Sequence, residues 1–338
     1  MEGAFGGMEK DGLTLTGFLL NHQQFVQEAT GDFTILMSSI QLACKAISTA
    51  VRKAGILGMY GLEGSVNVQG EEVKKLDILS HDNFVSALKY STKVGVMVSE
   101  EVEDVIIVNG SNGKYCAVFD PLDGSSNIDC NVSVGSIFGI YKRDVDEEPS
   151  VKDVLQPGTE LVAAGYCMYG SSTQMVLTFG EGVHVFTHDP SVGEFILTNK
   201  DVKIPENPKT IYSVNEGNSK YWYPAVSNFV DRVKTADKPY SARYVGSMVS
   251  DLHRTLLYGG IFLYPADKKS KNGKLRLLYE ANPMSMIVEQ AGGKSTTGFE
   301  RVLDIVPDSI HQRTPIFIGC TRDVDMLLEE FDKHPEQE

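Results

Sequence analysis

Two aspartates, Asp120 and Asp123, lie three residues apart in a segment that follows a short apolar run. Their like charges repel each other unless a cation lies between them, and oxygen ligands suit hard divalent ions such as Mg²⁺ or Mn²⁺. Gly124, Ser125 and Ser126 come next, and their backbone N–H groups can bind an anion. Metal ligands beside an anion-binding turn indicate metal-assisted phosphoryl chemistry. A purely structural chain reversal is the alternative, because Asp-Pro and Asp-Gly are ordinary turn dipeptides.

Further carboxylates stand at the ends of predicted elements. Glu100 and Glu101 follow a predicted buried strand. Asp77 follows a glycine-rich stretch, and Glu280 precedes a predicted helix. Side chains at such positions can converge in a crevice at the carboxyl edge of a sheet, where the sites of α/β proteins lie. The two glutamates can equally be the solvated exit of their strand.

The composition is that of an ordinary globular protein. The chain has 338 residues, of which 42% are hydrophobic and 22% charged, and its formal net charge is −14 at pH 7. This negative charge argues against a nucleic-acid partner and against an anionic membrane surface. The five cysteines are odd in number and show no Cys-x-x-Cys pairing, which is typical of free thiols in a reducing compartment. We therefore expect a cytoplasmic protein.

The hydrophobic pattern predicts an α/β chain with a β-rich middle part. Helices are predicted at 13–28, 33–54, 76–88, 224–233 and 245–257, and another opens with Asn282 as its N-cap and Pro283 in its first turn. Strands are predicted at 94–98, 115–118, 134–141, 161–169, 174–179, 183–187, 195–197, 211–214 and 261–264. The glycines between 55 and 70 predict no regular structure there. Prolines at 205 and 208 mark a predicted boundary between an N-terminal domain at 1–203 and a C-terminal domain at 204–338.

Several sequence blocks, spread over nearly the whole chain, resemble a known family in the right order. They are the acidic segment at 119–129 and the blocks at 74–77, 98–101, 242–248, 260–265 and 273–280. The arrangement resembles the metal-dependent, lithium-sensitive sugar and inositol phosphatases, and among these the fructose-1,6-bisphosphatase family. The resemblance implies a layered α/β/α/β/α fold. It also implies a homotetrameric phosphoric monoester hydrolase that converts fructose 1,6-bisphosphate to fructose 6-phosphate, a reaction of gluconeogenesis.

The resemblance further implies roles for individual residues. Those implied in catalysis are Asp77, Glu101, Asp120 and Arg276. Those implied to hold two or three Mg²⁺ ions, which Mn²⁺ can replace, are Glu100, Glu101, Asp120, the Leu122 carbonyl, Asp123 and Glu280. Those implied to bind substrate are Gly124, Ser125, Ser126, Asn215, Tyr244, Met248, Tyr264, Lys274 and, from a neighbouring subunit, Arg243. Lys274 and Arg276 alternate along a predicted strand towards Glu280, so a shared face also favours a functional role.

A second, regulatory site is implied at the start of a long helix. The residues implied to bind AMP there are Thr30, Gly31, Asp32, Thr34, Lys114, Tyr115 and Lys142. Backbone N–H groups at a helix start suit a phosphate, although simple helix capping is the alternative. The chain departs from the usual family pattern at Gln23, Glu71, Lys142 and Asn218. Because lysine lacks the planar fork of arginine, we expect AMP inhibition to be weaker than usual.

Two other functions remain as alternatives. Within the same class, the chain could be a sedoheptulose-bisphosphatase or an inositol-phosphate phosphatase. The basic block around Arg243 and Lys274 disfavours the latter, because a monophosphate would not need it. In a different class, the chain could be a catalytically silent sensor of AMP or sugar phosphate. The complete set of carboxylates disfavours a sensor. The seven histidines show no metal-ligand spacing and are interpreted as structural.

Overall fold

The computed structural model of the chain describes residues 12–25, 29–66, 72–108 and 113–335. The helices in these ranges are α1 (Leu15–Gln23), α2 (Asp32–Lys53), α3 (Lys75–Ser91), α4 (Pro224–Lys234), α5 (Met248–Tyr258), α6 (Asn282–Gln290) and α7 (Thr321–Lys333). The strands are β1 (Leu62–Val66), β2 (Glu72–Lys74), β3 (Val94–Ser99), β4 (Ile106–Ile107), β5 (Tyr115–Asp123), β6 (Val134–Lys142), β7 (Leu161–Tyr169), β8 (Thr173–Thr178), β9 (His184–Asp189), β10 (Glu194–Asn199), β11 (Ile211–Ser213), β12 (Ser241–Ala242), β13 (Ile261–Tyr264), β14 (Leu275–Arg276), β15 (Lys294–Thr296), β16 (Arg313–Thr314) and β17 (Ile316–Gly319).

The larger sheet has eight strands in the order β10-β9-β8-β7-β6-β5-β3-β4. Its neighbouring strands are antiparallel except for β3 and β5, which run parallel with Ser99 opposite Phe119. Parallel strands end at the same edge of a sheet. The residues that follow Ser99 and Phe119, Glu100 and Asp120, therefore emerge side by side.

The smaller sheet has five strands in the order β12-β11-β13-β17-β15. Strand β11 is parallel to β12 and β13, whereas β17 is antiparallel to β13 and β15. Two further pairs stand apart from both sheets: β1 with β2, and β14 with β16. The second of these pairs carries Arg276 into the cleft described below.

The helices form three layers around the two sheets. Helices α1, α2 and α3 contact the larger sheet, and α5 and α6 contact both sheets. Helices α4 and α7 pack on each other, and their apolar side chains join those of the smaller sheet in one core. The predicted α/β/α/β/α layering is confirmed. The boundary predicted at 203/204 falls in the connection from β10 to β11, and it stays a prediction.

Helix α2 shows how an apolar stripe places a helix. Leu36, Ile40 and Ile47 recur along one side and are fully or almost fully buried. By length and composition α2 could span a bilayer, but half of its most apolar window is buried inside the protein. Such burial is typical of the core helix of a layered fold.

The predicted absence of regular structure at 55–70 was wrong in part. Strand β1 lies within this stretch and pairs antiparallel with β2, with Leu62 opposite Lys74. Pairing gives the backbone groups of a glycine-rich segment hydrogen-bond partners that local sequence does not reveal. Residues 67–71, which include Glu71, and residues 26–28 of the first predicted helix lie outside the described residues.

The predicted N-cap role of Asn282 was also wrong. A π-helical turn, Leu277–Ala281, runs directly into α6, so Asn282 is already helical and is completely buried. Its side-chain amide donates to Tyr141 Oη at 3.4 Å, a contact with the larger sheet. Tertiary contact, rather than capping, therefore explains the asparagine. The turn itself carries Glu280.

Candidate active site

A cleft with a volume of about 500 Å³ brings together most of the predicted site residues. The predicted residues that line it are Asp77, Glu100, Glu101, Asp120, Leu122, Asp123, Gly124, Ser125, Ser126, Tyr244, Met248, Tyr264, Lys274, Arg276 and Glu280. Asn215 lines a smaller neighbouring cavity, which shares Tyr264 and Lys274 with the cleft. Arg243 lines neither of these two cavities.

Three buried carboxylates form the acidic end of the cleft. Asp120, Asp123 and Glu280 each place an oxygen within 4.8 Å of the others. Two residues three apart on a regular strand would face opposite sides of the sheet. The register of β5 shifts between Asp120 and Asp123, and this bulge lets both aspartates reach one cluster. The predicted turn is thus the bulged end of a strand.

Backbone donors fix two of these carboxylates. The Leu122 N–H donates to Asp120 Oδ1 at 2.9 Å. The Arg276 N–H donates to Glu280 Oε2 across the start of the π-helical turn. Because each bond uses one oxygen, each carboxylate retains lone pairs that can bind a cation.

Asp123 also holds the start of helix α5. Its Oδ2 accepts from Ser247 Oγ at 2.6 Å and from the Val249 N–H at 3.0 Å. Ser247 is the N-cap of α5 and accepts from the Ser250 N–H. The acidic cluster is therefore bonded to the helix layer between the sheets.

The electrostatics of the cluster favour a bound cation. Burial raises the pKa of Asp120 and of Glu280 well above the ordinary range, and the nearby charges of Glu100 and Asp123 raise both further. Burial likewise raises the pKa of Asp123, although its bond from Ser247 opposes this shift. A divalent cation would remove the repulsion, and the all-oxygen donor set fits a hard ion. The residues present therefore fit a metal site.

A histidine holds the turn that carries Glu100 and Glu101. His81 Nδ1 lies 2.8 Å from Ser99 Oγ, and the same hydroxyl accepts from the Glu101 N–H at 3.4 Å. Ser99 is completely buried at the end of β3. His81 lies on α3, one helical turn after Asp77. Sequence reasoning interpreted this histidine as structural, and only its i+4 spacing from Asp77 could have indicated its position.

A second histidine contacts the same turn. His311 Nε2 lies 3.0 Å from the Val102 carbonyl, and its Nδ1 lies 2.8 Å from Tyr279 Oη. A ring that donates from Nε2 and accepts at Nδ1 is neutral, and burial lowers the pKa of His311 accordingly. His311 thus connects the turn after β3 to the residue before Glu280.

Asp77 lies in the first turn of α3 and is buried. Its Oδ2 accepts from the Lys74 N–H at 2.8 Å. The Lys74 side chain lines the cleft and pairs with Asp129 at 2.5 Å, while Asp129 also accepts from the Gly61 N–H at 3.0 Å. We call these two contacts the Asp129 clasp. Sequence reasoning missed both Lys74 and Asp129 as parts of the site, although both lie within the blocks that carry the resemblance.

The anion-binding turn requires glycine at its first position. Gly124 has φ +75°, in the left-handed region that favours glycine. A Cβ there would lie 2.6 Å from the Ser247 Cβ, so any larger residue would displace the cap of α5. Ser125 opens a short 3₁₀ helix that runs to Cys130. The turn is therefore packed directly against α5.

Basic and aromatic residues line the same cleft as the acidic cluster. Arg276 is buried and donates from Nη1 to the His311 carbonyl at 3.3 Å, while Lys274, Tyr244 and Tyr264 complete the lining. Cations here partly offset the charge of the acidic cluster. Two charge signs in one cleft suit a substrate with one metal-bound and one lysine-bound anionic group.

A buried aspartate positions the loop that carries Tyr244. Asp251 accepts from the Val245 N–H at 3.0 Å, from the Gly246 N–H at 3.1 Å and from Ser213 Oγ at 2.8 Å. Asp251 is completely buried and pairs with Arg254 at 2.8 Å. Arg243, in the same loop, is exposed and donates to the Ala242 carbonyl at 2.8 Å. Its predicted contribution to a neighbouring subunit stays a prediction.

The predicted AMP site centres on Asp32. This carboxylate contacts Lys93 at 2.7 Å, Lys114 at 2.8 Å and Thr30 Oγ1 at 2.6 Å. The hydrogen bonds from Lys114, Lys93 and Thr30 hold the pKa of Asp32 well below its usual range. Sequence reasoning missed Lys93. Its side chain shows that a second cation stands at this helix start.

The remaining members of the predicted AMP site lie around this ion pair. Gly31 precedes α2 with φ +81°, and Thr34 Oγ1 donates to Gln23 Oε1 at 2.8 Å. Tyr115 and Lys142 are direct partners in the register of β5 and β6. The structure thus places all seven predicted residues at the junction of α2 with these two strands.

The layered fold, the buried acidic cluster and the basic residues of the same cleft are those expected of the class of the sugar phosphatases. The fructose-1-6-bisphosphatase N-terminal domain family matches residues 13–200, and the corresponding C-terminal domain family matches residues 204–331. The chain is 58% identical to the cytosolic fructose-1,6-bisphosphatase of Arabidopsis thaliana, with 97% of each chain covered. It is 59% identical to that of Brassica napus, covering 94% of this chain and 95% of the relative.

A solved structure agrees with these matches. Leishmania major fructose-1,6-bisphosphatase in holo form gives a TM-score of 0.90 at 47% identity, covering 95% of this chain and 99% of that one. The chain belongs to the fructose-1,6-bisphosphatase family. The roles that the resemblance implies for individual residues stay predictions.

Proposed function

We propose that this chain hydrolyses the 1-phosphate of fructose 1,6-bisphosphate, releasing fructose 6-phosphate and phosphate in the cytosol as a step of gluconeogenesis. The observation that carries the proposal is that the acidic cluster, the turn Gly124–Ser126 and the basic residues Lys274 and Arg276 line one cleft. High identity over nearly the full length of relatives named cytosolic fructose-1,6-bisphosphatase supports the substrate and the compartment.

The proposed cation is Mg²⁺, with two or three ions per subunit and Mn²⁺ as a substitute. The proposed ligands are Glu100, Glu101, Asp120, the Leu122 carbonyl, Asp123 and Glu280. Bound cations of this kind neutralise phosphate charge and lower the pKa of a bound water. Their oxygen-only ligand set supports Mg²⁺ over zinc, which prefers nitrogen and sulfur.

The chemistry of the chain's own residues is the orientation of water and the support of the phosphate. Asp77 and Glu101 orient the attacking water and accept its proton. The guanidinium of Arg276 donates to the transferring phosphate, and the backbone N–H groups of Gly124 and Ser125 donate to the same group as it leaves. All five residues line the cleft, which supports this division of roles.

The 6-phosphate is proposed to bind where the two cavities adjoin. Tyr264 and Lys274 line both cavities, and Asn215 lines the smaller one. Tyr244 approaches from the loop that Asp251 holds, and the partner subunit's Arg243 would complete the cradle. A site that takes one residue from a neighbouring chain requires an oligomer, so the homotetramer is part of the same proposal.

The experiment that tests the proposed function is an assay of phosphate release from fructose 1,6-bisphosphate with Mg²⁺ and with a chelator instead. We expect release of the 1-phosphate only, and only with the cation. Fructose 6-phosphate should not be hydrolysed, because it lacks the 1-phosphate that is proposed to bind at the acidic cluster through the cation. Faster turnover of sedoheptulose 1,7-bisphosphate or of inositol 1-phosphate would reassign the substrate. Binding without turnover of any of the three would establish a sensor.

We also propose that AMP inhibits the enzyme allosterically from the start of α2. The phosphate would lie on the N–H groups at Thr30–Thr34, with Lys114, Tyr115 and Lys142 around the nucleotide. None of these residues lines the cleft, so inhibition requires coupling between two separate sites. The coupling free energy of such sites is typically about 1–3 kcal/mol. The Asp32 carboxylate already forms ion pairs with Lys93 and Lys114, so the AMP phosphate must compete with this carboxylate for the two lysines.

The AMP proposal predicts opposite effects of two lysine substitutions. Lys142→Arg should tighten AMP by about 1 kcal/mol, because a guanidinium fork binds phosphate through two parallel bonds. Lys114→Ala should weaken AMP by a comparable amount. AMP titration of phosphate release at saturating Mg²⁺ measures both, with the exposed Lys152→Ala as the matched control. Competition of AMP with substrate, or unchanged potency in Lys114→Ala, would show that the site lies elsewhere.

A further inference from the structure

The contact between His81 and Ser99 joins the two elements that carry the water-orienting carboxylates. Asp77 lies four residues before His81 on α3, and Glu101 lies two residues after Ser99, just beyond β3. His81 Nδ1 meets Ser99 Oγ at 2.8 Å, and Ser99 Oγ accepts from the Glu101 N–H at 3.4 Å. The Ser99 hydroxyl thus links the backbone of Glu101 to α3, the helix that carries Asp77.

The surroundings of this contact restrict its geometry. Ser99 is completely buried, so water cannot replace the imidazole as its partner without a rearrangement. The Glu100 N–H donates to the Phe119 carbonyl at 3.2 Å, which ties the same turn to β5. The His81 ring centroid lies 6.5 Å from that of Phe119. The imidazole therefore has a polar contact with Ser99 and an apolar neighbour in Phe119.

We propose that His81 is a positioning residue for the hydrolysis, which acts by fixing the separation of Asp77 and Glu101 through the Ser99 hydroxyl. The inference rests on the proposed function, because it assigns those two carboxylates to the attacking water. Misplacing a reacting group by about 1 Å can cost about a hundredfold in rate. Loss of the bond should therefore lower kcat and leave the KM for fructose 1,6-bisphosphate nearly unchanged, since the 6-phosphate end lies elsewhere in the cleft.

Two substitutions at one position separate positioning from packing. His81→Asn places a donor and an acceptor near the former Nδ1 and keeps the bond to Ser99 while losing ring volume. His81→Leu keeps apolar volume beside Phe119 and loses the bond. If His81 positions the turn, the asparagine variant stays active and the leucine variant does not. If His81 only fills space, the order is reversed.

The measurements are kcat, KM and the thermal midpoint of both variants, with Ser99→Ala as the partner variant. We expect kcat of His81→Leu and of Ser99→Ala to fall by about tenfold or more, with KM within about twofold of wild type. The double variant should be no slower than either single one, because both remove the same bond. His188→Ala, a partly buried histidine on β9 outside the cleft, is the matched control and should match wild type.

The outcomes distinguish failure of this inference from failure of the proposed function. Inactive wild-type protein with intact folding would contradict the proposed function itself. Active wild type with an equally active, folded His81→Leu would contradict the inference alone. A kcat of His81→Asn as low as that of His81→Leu would also contradict the inference. The same holds if the variants lose activity only to the extent that they lose thermal stability. Should the leucine variant not fold, the asparagine variant and Ser99→Ala still decide, because their predicted rates differ.

Discussion

Replacing Asp120 by asparagine is expected to lower divalent-dependent kcat by on the order of 10²–10³-fold, the typical cost of losing one group that stabilises transition-state charge. Asparagine keeps an oxygen that can accept the Leu122 N–H, so the bulged end of β5 should persist. In the metal-free protein at neutral pH the same change should raise the thermal midpoint, because it removes the cost of burying a carboxyl whose pKa is raised by burial and by its acidic neighbours. Opposite signs for activity and stability are the signature of a functional carboxylate.

Phosphate release and thermal unfolding, each with Mg²⁺ and with a chelator, measure both effects. The matched control is Asp332→Asn, an exposed carboxylate on α7, which should change neither quantity. Wild-type activity with the wild-type Mg²⁺ dependence in the Asp120 variant would remove the metal-site interpretation.

The stabilisation of the protein by Mg²⁺ is expected to grow as the pH rises from about 5 to about 8. Burial and repulsion from neighbouring carboxylates, which for Asp123 is Asp251, raise the pKa values of Asp120, Asp123 and Glu280 above their unfolded values of about 4. The metal-free folded state therefore binds more protons than the unfolded state. The stability that these groups contribute is present below the unfolded pKa and is lost as the pH rises through the folded pKa. A bound cation neutralises the carboxylates in place of those protons, so it restores the stability that is lost at higher pH.

Differential scanning calorimetry with Mg²⁺ and with a chelator across this pH range measures the effect as a difference. The difference matters because several histidines have pKa values lowered by burial, which makes the protein more stable as the pH rises and so opposes the carboxylates. These histidine contributions cancel between the two conditions. At a cation concentration a hundredfold above the dissociation constant we expect about 2.7 kcal/mol of added stability. A shift in midpoint that does not change with pH would contradict the raised pKa values.

Much of the fold was predictable from hydrophobic pattern alone. The strand prediction at 261–264 matches β13, and those at 94–98 and 161–169 match β3 and β7 to within one residue. The pattern is strong there because every residue of β3 and most residues of β7 and β13 are buried. Local signals failed where tertiary contacts decide the structure: in the strand pair that includes Leu62–Val66, and at Asn282, whose buried amide meets a neighbouring sheet.

Most residues of the candidate site could be predicted from the sequence, but the contacts that hold them in place could not. The carboxylates stand out because acidic residues at the ends of apolar runs are conspicuous in a sequence. Asp120 and Asp123 nevertheless converge only through a bulge that no residue type announces. His81 and Lys93 meet their partners across elements 18 and 61 residues apart in sequence, and distances of this kind are set by packing rather than by local pattern.

The Asp129 clasp has a consequence for how the enzyme can be tuned. One of its two contacts is an ion pair in which Asp129 is 39% exposed, and such pairs contribute about 1 kcal/mol or less. The strand pair that leads into Asp77 is therefore secured by little energy at a point where solvent ions compete. Salt that leaves the buried carboxylates untouched will weaken the clasp. A substitution of Asp129 alone would thus change how firmly the strand pair is held, without altering any group proposed to contact the sugar.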